Sequence, residues 1–452
     1  MSEVRFKEII EETDYFRIDS EFQLHYYLNI LNSLLSIKHL FFYEKIELLT
    51  DGKHGGVTLT DRGVVFLRNT NIKENIIDLS DLRFISEQES NMTKRAEFEA
   101  GDLLLTTIGT IGLCVKIPIG FPKATINQNL VRIVLKNKNE ASLICAFLNS
   151  KYGRGQLLRW GAGNVYQMIN YPNIKNILIP NFSGNFSKQI DALYNKSELS
   201  RKQSQSLYCQ AEELLLETIG LKNFKPGEKG INVKTFKKSF LATGRLDAEY
   251  YQPKYEEIEN KVKQYKDGFS FIGKQFKQNK STIDYSEKLY NYIEIGDIDV
   301  ENGSNIANML DVIELPANAK IKSRCGDLLI SKVRPNRGAV SIIDKSILNL
   351  VVSGAFTVLE EKGNYKKEVL FVLLRTFYYK EWLLKFNVGT SYPVIKDEDV
   401  LNLPIPLIEK KIQQQIVDLI NESFNLHRES EKLLEEAKEM VEREIEGGTI
   451  TC

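Results

Sequence analysis

The sequence lacks the short motifs that mark the common catalytic sites. It contains no G-x-x-x-x-G-K-S/T phosphate loop, no H-E-x-x-H, no G-x-S-x-G and no G-x-G-x-x-G after a strand. The Asn/Asp-Pro-Pro-aromatic motif of amino-methyltransferases is also missing. Only four histidines occur, and their dispersal along the chain argues against a metal site. These absences predict a chain without a catalytic centre and without a cofactor of its own.

Paired cysteines and long apolar runs are missing as well. The five cysteines are scattered and form no C-x-x-C pair, which is typical of free thiols in a reducing compartment. No run of about 18 apolar residues occurs, and the first residues lack the apolar core of a signal peptide. The sequence therefore predicts no membrane span and a cytoplasmic location.

The chain has no net charge. Sixty Lys and Arg residues balance sixty Asp and Glu residues, which excludes a globally basic nucleic-acid-binding coat but allows local basic patches. Hydrophobic residues make up 42% and charged residues 27% of the 452 residues, as in an ordinary globular protein. A chain of this length predicts about two to four domains, each with its own core.

The most informative feature that is present is a duplication. Arg17-Ile-Asp-Ser-Glu-Phe22 returns 228 positions later as Arg245-Leu-Asp-Ala-Glu-Tyr250. Three further matches lie 225 or 226 positions apart: Gly101–Leu104 with Gly326–Leu329, Leu157–Trp160 with Leu383–Phe386, and Ile177–Pro180 with Leu403–Pro406. A near-constant separation at four places indicates that a whole unit is repeated. We therefore expect two globular domains of similar topology, related by an approximate two-fold axis.

Each repeat begins with a globular segment of mixed character. Short β-like runs such as Val64–Leu67 and Leu130–Leu135 are separated by Gly, Asn and Asp, and helical spacing occurs around Leu143–Leu148 and Leu370–Leu384. This pattern predicts an α+β domain in each repeat. The predicted domains are residues 1–185 and 241–408, and a linker rich in Pro and Gly is predicted at 222–240.

Each globular segment is followed by a predicted helix, at 186–221 and at 409–447, with a heptad pattern. The seam of the first helix is Ile190, Leu193, Ser197, Ser200, Ser204, Leu207, Ala211 and Leu214, and that of the second is Ile416, Leu419, Ser423, Leu426, Ser430, Leu433, Ala437 and Met440. Alternating spacings of three and four make the narrow seam of a coiled coil.

The simplest arrangement pairs the two helices with each other. Small Ser and Ala residues in the middle of both seams would allow a close approach, with Leu207 facing the second helix and Leu433 facing the first. The alternative is that each helix packs only on its own domain. The predicted fold class is therefore α+β: two similar globular domains separated by a long antiparallel two-helix coiled coil, which spans about 45 Å.

Local polar and basic clusters are the candidate binding sites. Lys332-Val-Arg-Pro-Asn-Arg337 follows the apolar run Leu328–Ile330 and is predicted to be a loop that leaves a strand. Arg, Lys and Asn side chains suit guanine O6 and N7, adenine N6 and N7, and phosphates. The matching place in the first repeat, Thr106–Thr110, is rich in hydroxyl groups. Further loops with glycine, at 51–56, 161–164 and 388–391, offer free N–H groups for a phosphate.

These clusters define a set of candidate DNA-contacting residues. They are Lys53, His54, Arg62, Thr106, Thr107, Arg159, Asn164, Lys332, Arg334, Asn336, Arg337, Thr390 and Ser391. For every loop the alternative is a solvated turn. For Arg334 and Arg337, contact with phosphates alone is the alternative to contact with bases.

In their order and repetition, the motifs resemble the specificity subunit of type I restriction–modification systems. The residues that carry the resemblance are Arg245–Pro253, Asp51–His54, Gly101–Thr106, Gly326–Ser331, Ala124–Asn129, and Asn402–Pro406 running into Lys411–Gln415. The resemblance covers nearly the whole chain. The Asp-Gly-Lys-His loop of the first repeat has no equivalent near 280–283, so the second domain is expected to contact DNA differently there, or not at all.

The resemblance implies two target recognition domains, each of which reads one half of a bipartite double-stranded DNA sequence. It also implies that the paired helices set the gap between the half-sites and dock two modification subunits. Those partners carry S-adenosylmethionine and methylate adenine, and motor–nuclease restriction subunits, which use ATP and Mg, join for cleavage. No cofactor or metal is implied for this chain.

Two other functions are left open by the sequence. The first is a self-contained restriction-type enzyme with an unrecognised catalytic site, against which the missing methyltransferase motifs argue. The second is a scaffold whose duplicated domains bind protein, which salt-dependent binding to DNA would distinguish from a DNA-binding subunit. The target bases and the length of their spacer cannot be read from the sequence.

Overall fold

A computed structural model describes residues 22–79, 81–161, 167–227, 231–388 and 392–447. The chain forms two compact units. The first consists of Met1–Arg201 and His427–Cys452, and the second of Lys202–Leu426. Both boundaries fall within long helices, so each unit contains one globular segment and a part of each long helix.

The first unit is built from short helices and strands. Its described helices are α1 (His25–Leu35), α2 (Phe42–Lys45), α3 (Glu87–Asn91), α4 (Ala141–Asn149), α5 (Lys151–Trp160) and α6 (Tyr171–Lys175), followed by the long helix α7 (Gly184–Thr218). Its described strands are β1 (His39–Phe41), β2 (Ile46–Asp51), β3 (Leu59–Thr60), β4 (Val64–Leu67), β5 (Ile72–Lys73), β6 (Ile76–Ile77), β7 (Arg83–Ile85), β8 (Leu103–Thr106), β9 (Cys114–Lys116), β10 (Ala124–Ile126), β11 (Leu130–Leu135) and β12 (Leu178–Pro180).

The main sheet of the first unit is antiparallel, in the order β2-β11-β8-β9. Side chains of a strand alternate between its two faces. Val131 and Ile133 of β11 share a core with α4 and α5, whereas Leu130 shares a core with a second sheet. Because both faces of β11 are covered, the strand is an almost continuous apolar run. The second sheet has the order β10-β4-β7-β3, and its β10 and β4 are parallel.

The second unit contains a corresponding set of elements. Its described helices are α8 (Phe240–Thr243), α9 (Pro253–Lys263), α10 (Ile272–Gln275), α11 (Lys367–Arg375), α12 (Phe377–Leu384) and α13 (Asp397–Leu401), followed by the long helix α14 (Lys410–Glu446). Its described strands are β13 (Phe269–Phe271), β14 (Phe276–Gln278), β15 (Leu289–Ile293), β16 (Asn308–Asp311), β17 (Ala319–Lys322), β18 (Leu328–Ser331), β19 (Val340–Ile342), β20 (Leu350–Ser353), β21 (Phe356–Glu361) and β22 (Pro404–Pro406).

The two units share one topology. The main sheet of the second unit, β14-β21-β18-β19, repeats the strand order of the first. The parallel pair is repeated in register: Ala124 lies opposite Val65, and Leu350 lies opposite Asn291, 226 positions later in both strands. The prediction of two similar α+β domains is therefore confirmed. The two-fold axis stays a prediction.

The second sheets of the two units differ at their edges. In the first unit the short strand β3 pairs with β7, whereas in the second unit β17 pairs with β20. The common core of each sheet is thus three strands, and the fourth strand lies at opposite edges in the two units. An extra strand at the edge of a sheet leaves the core unchanged. Diverged repeats therefore tolerate differences at the sheet edges.

The repeated Gly-Asp motif forms a buried turn before β8 and before β18. Gly101 and Gly326 have φ of +85° and +95°, a region in which only glycine is unstrained. The Asp102 carboxylate accepts the Glu99 N–H at 2.9 Å, and Asp327 accepts the Arg324 N–H at 3.0 Å. The motif therefore stabilises the turn and is not exposed.

The long helices α7 and α14 meet through buried serines. In the first unit the Ser197 hydroxyl donates to the Ser430 carbonyl oxygen at 3.0 Å. In the second unit the hydroxyls of Ser204 and Ser423 each donate to the other residue's carbonyl oxygen at 2.8 Å. The residue number rises along α7 from one pair to the next and falls along α14, so the helices run antiparallel. Within the described ranges, no helix is both long and apolar enough to cross a membrane.

The buried seam is wider than the strict heptad that the sequence predicts. Ile190, Ile416 and Leu433 are buried, but Leu193, Leu207, Leu214, Leu419 and Leu426 are only half-buried. Neighbouring residues such as Tyr194, Leu215 and Ile420 are buried in addition or instead. The reason is that the helices also pack on globular segments: Tyr194 shares a core with α4, and Leu215 shares a core with α11. Both packing modes left open by the sequence therefore occur together.

Ser204→Leu is expected to destabilise the protein, although leucine is the common residue of coiled-coil seams. Because the hydroxyl oxygens of Ser204 and Ser423 lie 3.1 Å apart, the helices are too close for a branched side chain. Overpacking such a site lowers the free energy of unfolding by about 1–3 kcal/mol. Urea denaturation of Ser204→Leu and of the unchanged protein measures this loss. Ser204→Ala is the matched control and should lose about 1 kcal/mol or less. A stability gain with leucine would disprove the close approach.

Candidate nucleic-acid interface

The loop after β18 contains accessible basic residues of the predicted set. Pro335–Arg337 form a single 3-10 turn that leaves Asn336 and Arg337 exposed and Arg334 half-exposed. The backbone of Arg334 adopts the left-handed conformation, with φ of +48°, which is unusual for a residue other than Gly, Asn or Asp. Such a conformation is strained by about 1–3 kcal/mol and persists only where the surroundings enforce it.

A second segment of the chain enforces this conformation. The Arg334 N–H donates to the Pro393 carbonyl oxygen at 2.7 Å, and its guanidinium lies over the Tyr392 ring at 4.4 Å. Stacking on an aromatic face orients a guanidinium while its N–H edge stays open to a ligand. Within the described part of the chain, neither Arg334 nor Arg337 forms an ion pair with a carboxylate. The oriented Arg334 guanidinium and the exposed Arg337 therefore lie in one turn beside Asn336.

Lys332 has a different environment from the two arginines. Its ammonium lies 3.1 Å from the Asp397 carboxylate, and its side chain is mostly buried. Burial by itself raises the pKa of the Asp397 carboxyl. Hydrogen bonds from Thr357 and Lys332 together have the larger, opposite effect, so the pKa of Asp397 lies below its usual value. Because its charge is already neutralised, Lys332 is a weaker candidate for a phosphate contact than Arg334 or Arg337.

Thr106 and Thr107 require a correction. Both residues are buried, with exposures of 0% and 3%. The Thr106 hydroxyl accepts the Leu113 N–H at 2.9 Å, and the Thr107 hydroxyl donates to the Asn129 carbonyl oxygen at 3.1 Å. Neither hydroxyl is accessible to DNA in this conformation. The two hydroxyl groups bond backbone groups within the protein, so these two threonines are removed from the set of candidate DNA-contacting residues.

Arg159 requires the same correction. The residue is 6% exposed, its Nε donates to the Phe22 carbonyl oxygen at 3.0 Å, and its guanidinium lies 4.0 Å from the centre of the Phe22 ring. An arginine that is enclosed in this way contributes to packing. Two other basic residues of α5 are paired with acids distant in sequence: Lys151 with Glu446, and Arg154 with Glu74.

The remaining candidates of the first unit are near its surface. Lys53 forms an ion pair with Glu89 at 2.5 Å, and that hydrogen bond lowers the pKa of the Glu89 carboxyl. His54 is exposed, with its Nε2 2.5 Å from the Asp51 carboxylate. Arg62 is exposed in the turn before β4, and no ion pair is found for it within the described ranges. Asn164, Thr390 and Ser391 lie outside the described residues.

The structure brings together loops that the sequence presented separately. Ile108 pairs with Met168 in an isolated antiparallel bridge, and Val333 pairs with Val394 in the same way. The loop after β8 or β18 thus meets the chain that precedes α6 or α13. Because the contact is repeated in both units, these two loops form one composite surface in each unit.

The composite surface of the first unit contains side-chain amides that the sequence analysis missed. Gln128 and Gln167 are exposed, and Asn69 and Asn129 are half-exposed. The Asn129 side chain donates to Asn69 at 3.4 Å, and Asn69 donates to the Ile108 carbonyl oxygen at 3.4 Å. Gln128 separately accepts the Gly55 N–H at 3.3 Å. The run Asn127-Gln128-Asn129 directly after the apolar Ala124–Ile126 was the available signal.

The two surfaces differ in chemistry while the strands beneath them agree. The first unit presents amides, and the second presents guanidinium groups. Residues 257–438, which include the guanidinium loop, match the family described as Type I restriction modification DNA specificity domain. The matched segment begins in α9 and extends into α14.

Curated relatives of the chain are similar over short stretches. The chain is 33% identical to the type I restriction enzyme HindI specificity subunit of Haemophilus influenzae over 133 residues, which are 28% of this chain and 28% of that protein. It is 25% identical to the EcoBI specificity subunit of Escherichia coli over 156 residues, which are 33% of this chain and 30% of that protein. The matched stretch is therefore less than one third of either relative's length.

A solved structure is similar over a longer stretch but only weakly. The S subunit of a type I restriction-modification system from M. genitalium has 13% sequence identity and a TM-score of 0.40, over 90% of this chain and 95% of that one. A likeness at this level supports no inference about function. In the described part of the chain, no group of three or more His, Cys, Asp or Glu side chains is placed to hold a metal ion.

Proposed function

We propose that this chain is a non-catalytic, sequence-specific DNA-binding specificity subunit of a type I restriction–modification complex. Each unit reads one half of a bipartite target in double-stranded DNA. Helices α7 and α14 set the spacing of the half-sites and dock two modification subunits, which carry S-adenosylmethionine and methylate adenine. Motor–nuclease restriction subunits join for cleavage, and the complex acts in the cytoplasm.

The observation that carries this proposal is the specificity-domain match combined with the duplicated topology. Two units that repeat the same strands but present unlike loops suit a target with two unlike halves. Side-chain amides pair bidentately with adenine, and guanidinium groups with guanine, in the major groove. The names of the HindI and EcoBI relatives, both specificity subunits, support the proposed partners.

Expression of the chain with its modification partners should produce adenine methylation at one bipartite motif, detected by methylome sequencing. A duplex with that motif should then bind the assembled complex more tightly than a scrambled duplex, by about 10³-fold or more. Raising the salt concentration should weaken binding to both duplexes, because phosphate neutralisation releases counterions.

The control is the purified chain without partners, which should transfer no methyl group from S-adenosylmethionine to the same duplex. Methylation by the isolated chain would support a self-contained enzyme instead. Equal and salt-independent affinity for both duplexes would reject DNA recognition and favour a protein-binding scaffold.

A further inference from the structure

The repeated Arg-Ile/Leu-Asp-x-Glu-aromatic motif has no place in the proposed DNA contacts, yet it opens both repeats. In the second unit its arginine, Arg245, donates through Nε and one terminal nitrogen to the two oxygens of Asp247, at 2.7 and 2.6 Å. This hydrogen bonding is the main cause that lowers the pKa of Asp247. A bidentate pair of this kind fixes the plane of the guanidinium.

The oriented guanidinium then binds the chain just after α12. Its terminal nitrogens donate to the carbonyl oxygens of Phe386 and Asn387, at 3.4 and 2.9 Å. Carbonyl groups at the end of a helix have no intrahelical N–H partner, and a cation suits them. The aromatic residue of the motif, Tyr250, completes the contact, because the Arg245 and Lys385 cations lie 4.6 and 5.1 Å from its ring centre.

From Asn387 a series of contacts leads to the candidate DNA-binding loop. The Asn387 side chain accepts the Val394 N–H at 3.1 Å, and the Val388 N–H donates to the Val394 carbonyl oxygen at 3.0 Å. These bonds join Asn387 and Val388 to Val394. The neighbouring Pro393 carbonyl and Tyr392 ring hold Arg334.

The first unit repeats the part of this arrangement that lies in the described residues. Phe22, the aromatic residue of the first motif, packs edge-on against Trp160 at 5.0 Å and lies under the Arg159 guanidinium. These residues end α5 just before the loop that meets Ile108. The motif therefore contacts the same helix end in both units, beside the same composite surface.

We propose that Arg245 is a positioning residue for DNA recognition by the second unit: it anchors Asn387, which holds Val394, and the adjacent Tyr392 and Pro393 orient Arg334. This inference rests on the proposed function. Arg245 itself touches no base, because its donors are committed to Asp247 and to the two carbonyl oxygens. The motif thus connects the start of the repeat to the segment that orients the Arg334 side chain.

The first test needs no DNA. In Arg245→Ala, hydrogen–deuterium exchange of the full-length chain should show the Arg334 and Val394 amides exchanging faster, by about tenfold or more. The reason is that the Arg334 N–H donates to Pro393 and the Val394 N–H donates to Asn387, so both bonds weaken when Asn387 is no longer anchored. Arg245→Lys keeps the charge without the planar fork and should give an intermediate rate. The control is Arg324→Ala, which removes an exposed guanidinium at the opposite end of β18. Unchanged exchange in Arg245→Ala would overturn the inference.

The second test measures half-site discrimination by the assembled complex, with duplexes based on the motif from methylome sequencing. Arg245→Ala should lose preference, by about tenfold, at the half-site read by the second unit and keep it at the other half-site. Arg245→Lys should recover part of the loss. Equal loss at both half-sites, or none, would overturn the positioning role while the proposed function stands. If the wild-type complex shows no sequence preference, the proposed function fails, and this inference fails with it.

Discussion

Asp102→Asn is expected to destabilise the first unit by about 3 kcal/mol, because it removes one partner of a buried ion pair. Asp102 is fully buried, and the Arg132 guanidinium donates to its carboxylate at 2.8 and 2.7 Å. The Arg132 side chain is only 13% exposed, so solvent replaces little of the lost interaction. The measurement is urea denaturation followed by the fluorescence of Trp160, in a Trp382→Phe background that removes the only other tryptophan.

Asp327→Asn is the matched control in the second unit, and it should cost much less. Asp327 is equally buried, but Val358 stands where the first repeat has Arg132, and the side chain bonded to Asp327 is the neutral Asn279 at 3.2 Å. Burial raises the pKa of Asp327 above its usual value. The carboxyl therefore favours folding most below its unfolded pKa, and that contribution is lost as the pH rises through the raised folded pKa.

At pH 7 the buried charge of Asp327 opposes folding, so asparagine should preserve or increase stability, as reported by Trp382 in a Trp160→Phe background. Any gain should shrink when the pH is lowered toward 3. Equal losses for Asp102→Asn and Asp327→Asn would contradict the contrast between the two repeats.

Arg334→Ala should weaken binding to the motif by about 1–3 kcal/mol and relax sequence preference only at the half-site of the second unit. The reason is that Arg334 is stacked, oriented and without a carboxylate partner in the described structure. Arg337→Ala is the parallel variant in the same turn, and Arg324→Ala is the control. Fluorescence anisotropy with single-base variants of the target, at several salt concentrations, measures the effect.

The same experiment separates two kinds of contact. A uniform loss across sequences, with a salt slope reduced by about one, would assign the residue to a phosphate. Unchanged binding for both arginine variants would place the loop outside the interface. The candidate surface of the second unit would then have to lie elsewhere.

Much of the architecture was predictable because it depends on periodic features of the sequence. The near-constant separation of the repeats predicted two domains of one topology, and the apolar run Leu130–Leu135 predicted a strand. The long helices were predicted at 186–221 and 409–447 and are described at Gly184–Thr218 and Lys410–Glu446. The predicted heptad seam was narrower than the buried face of the two helices. Periodicity records that a residue is apolar, but not whether it faces the other helix or a globular segment.

The candidate site was less predictable than the fold. Arg334 and Arg337 are accessible, but Thr106, Thr107 and Arg159 are buried. Local composition could not distinguish the accessible residues from the buried ones, since Arg and Thr also serve in buried hydrogen-bond networks. The amides at Gln128 and Gln167 were overlooked because no charge draws attention to them.

By itself, the sequence determined the duplication, the α+β class, the pair of long helices and the basic loop after β18. These features are encoded in residues that are neighbours in sequence or are repeated at a fixed separation. Only the tertiary structure decided which polar residues are accessible, which loops meet, and that Arg245 binds the chain after α12. Those outcomes depend on tertiary contacts, such as those of Val333 with Val394 and of Arg245 with Asn387, for which one sequence carries no local signal.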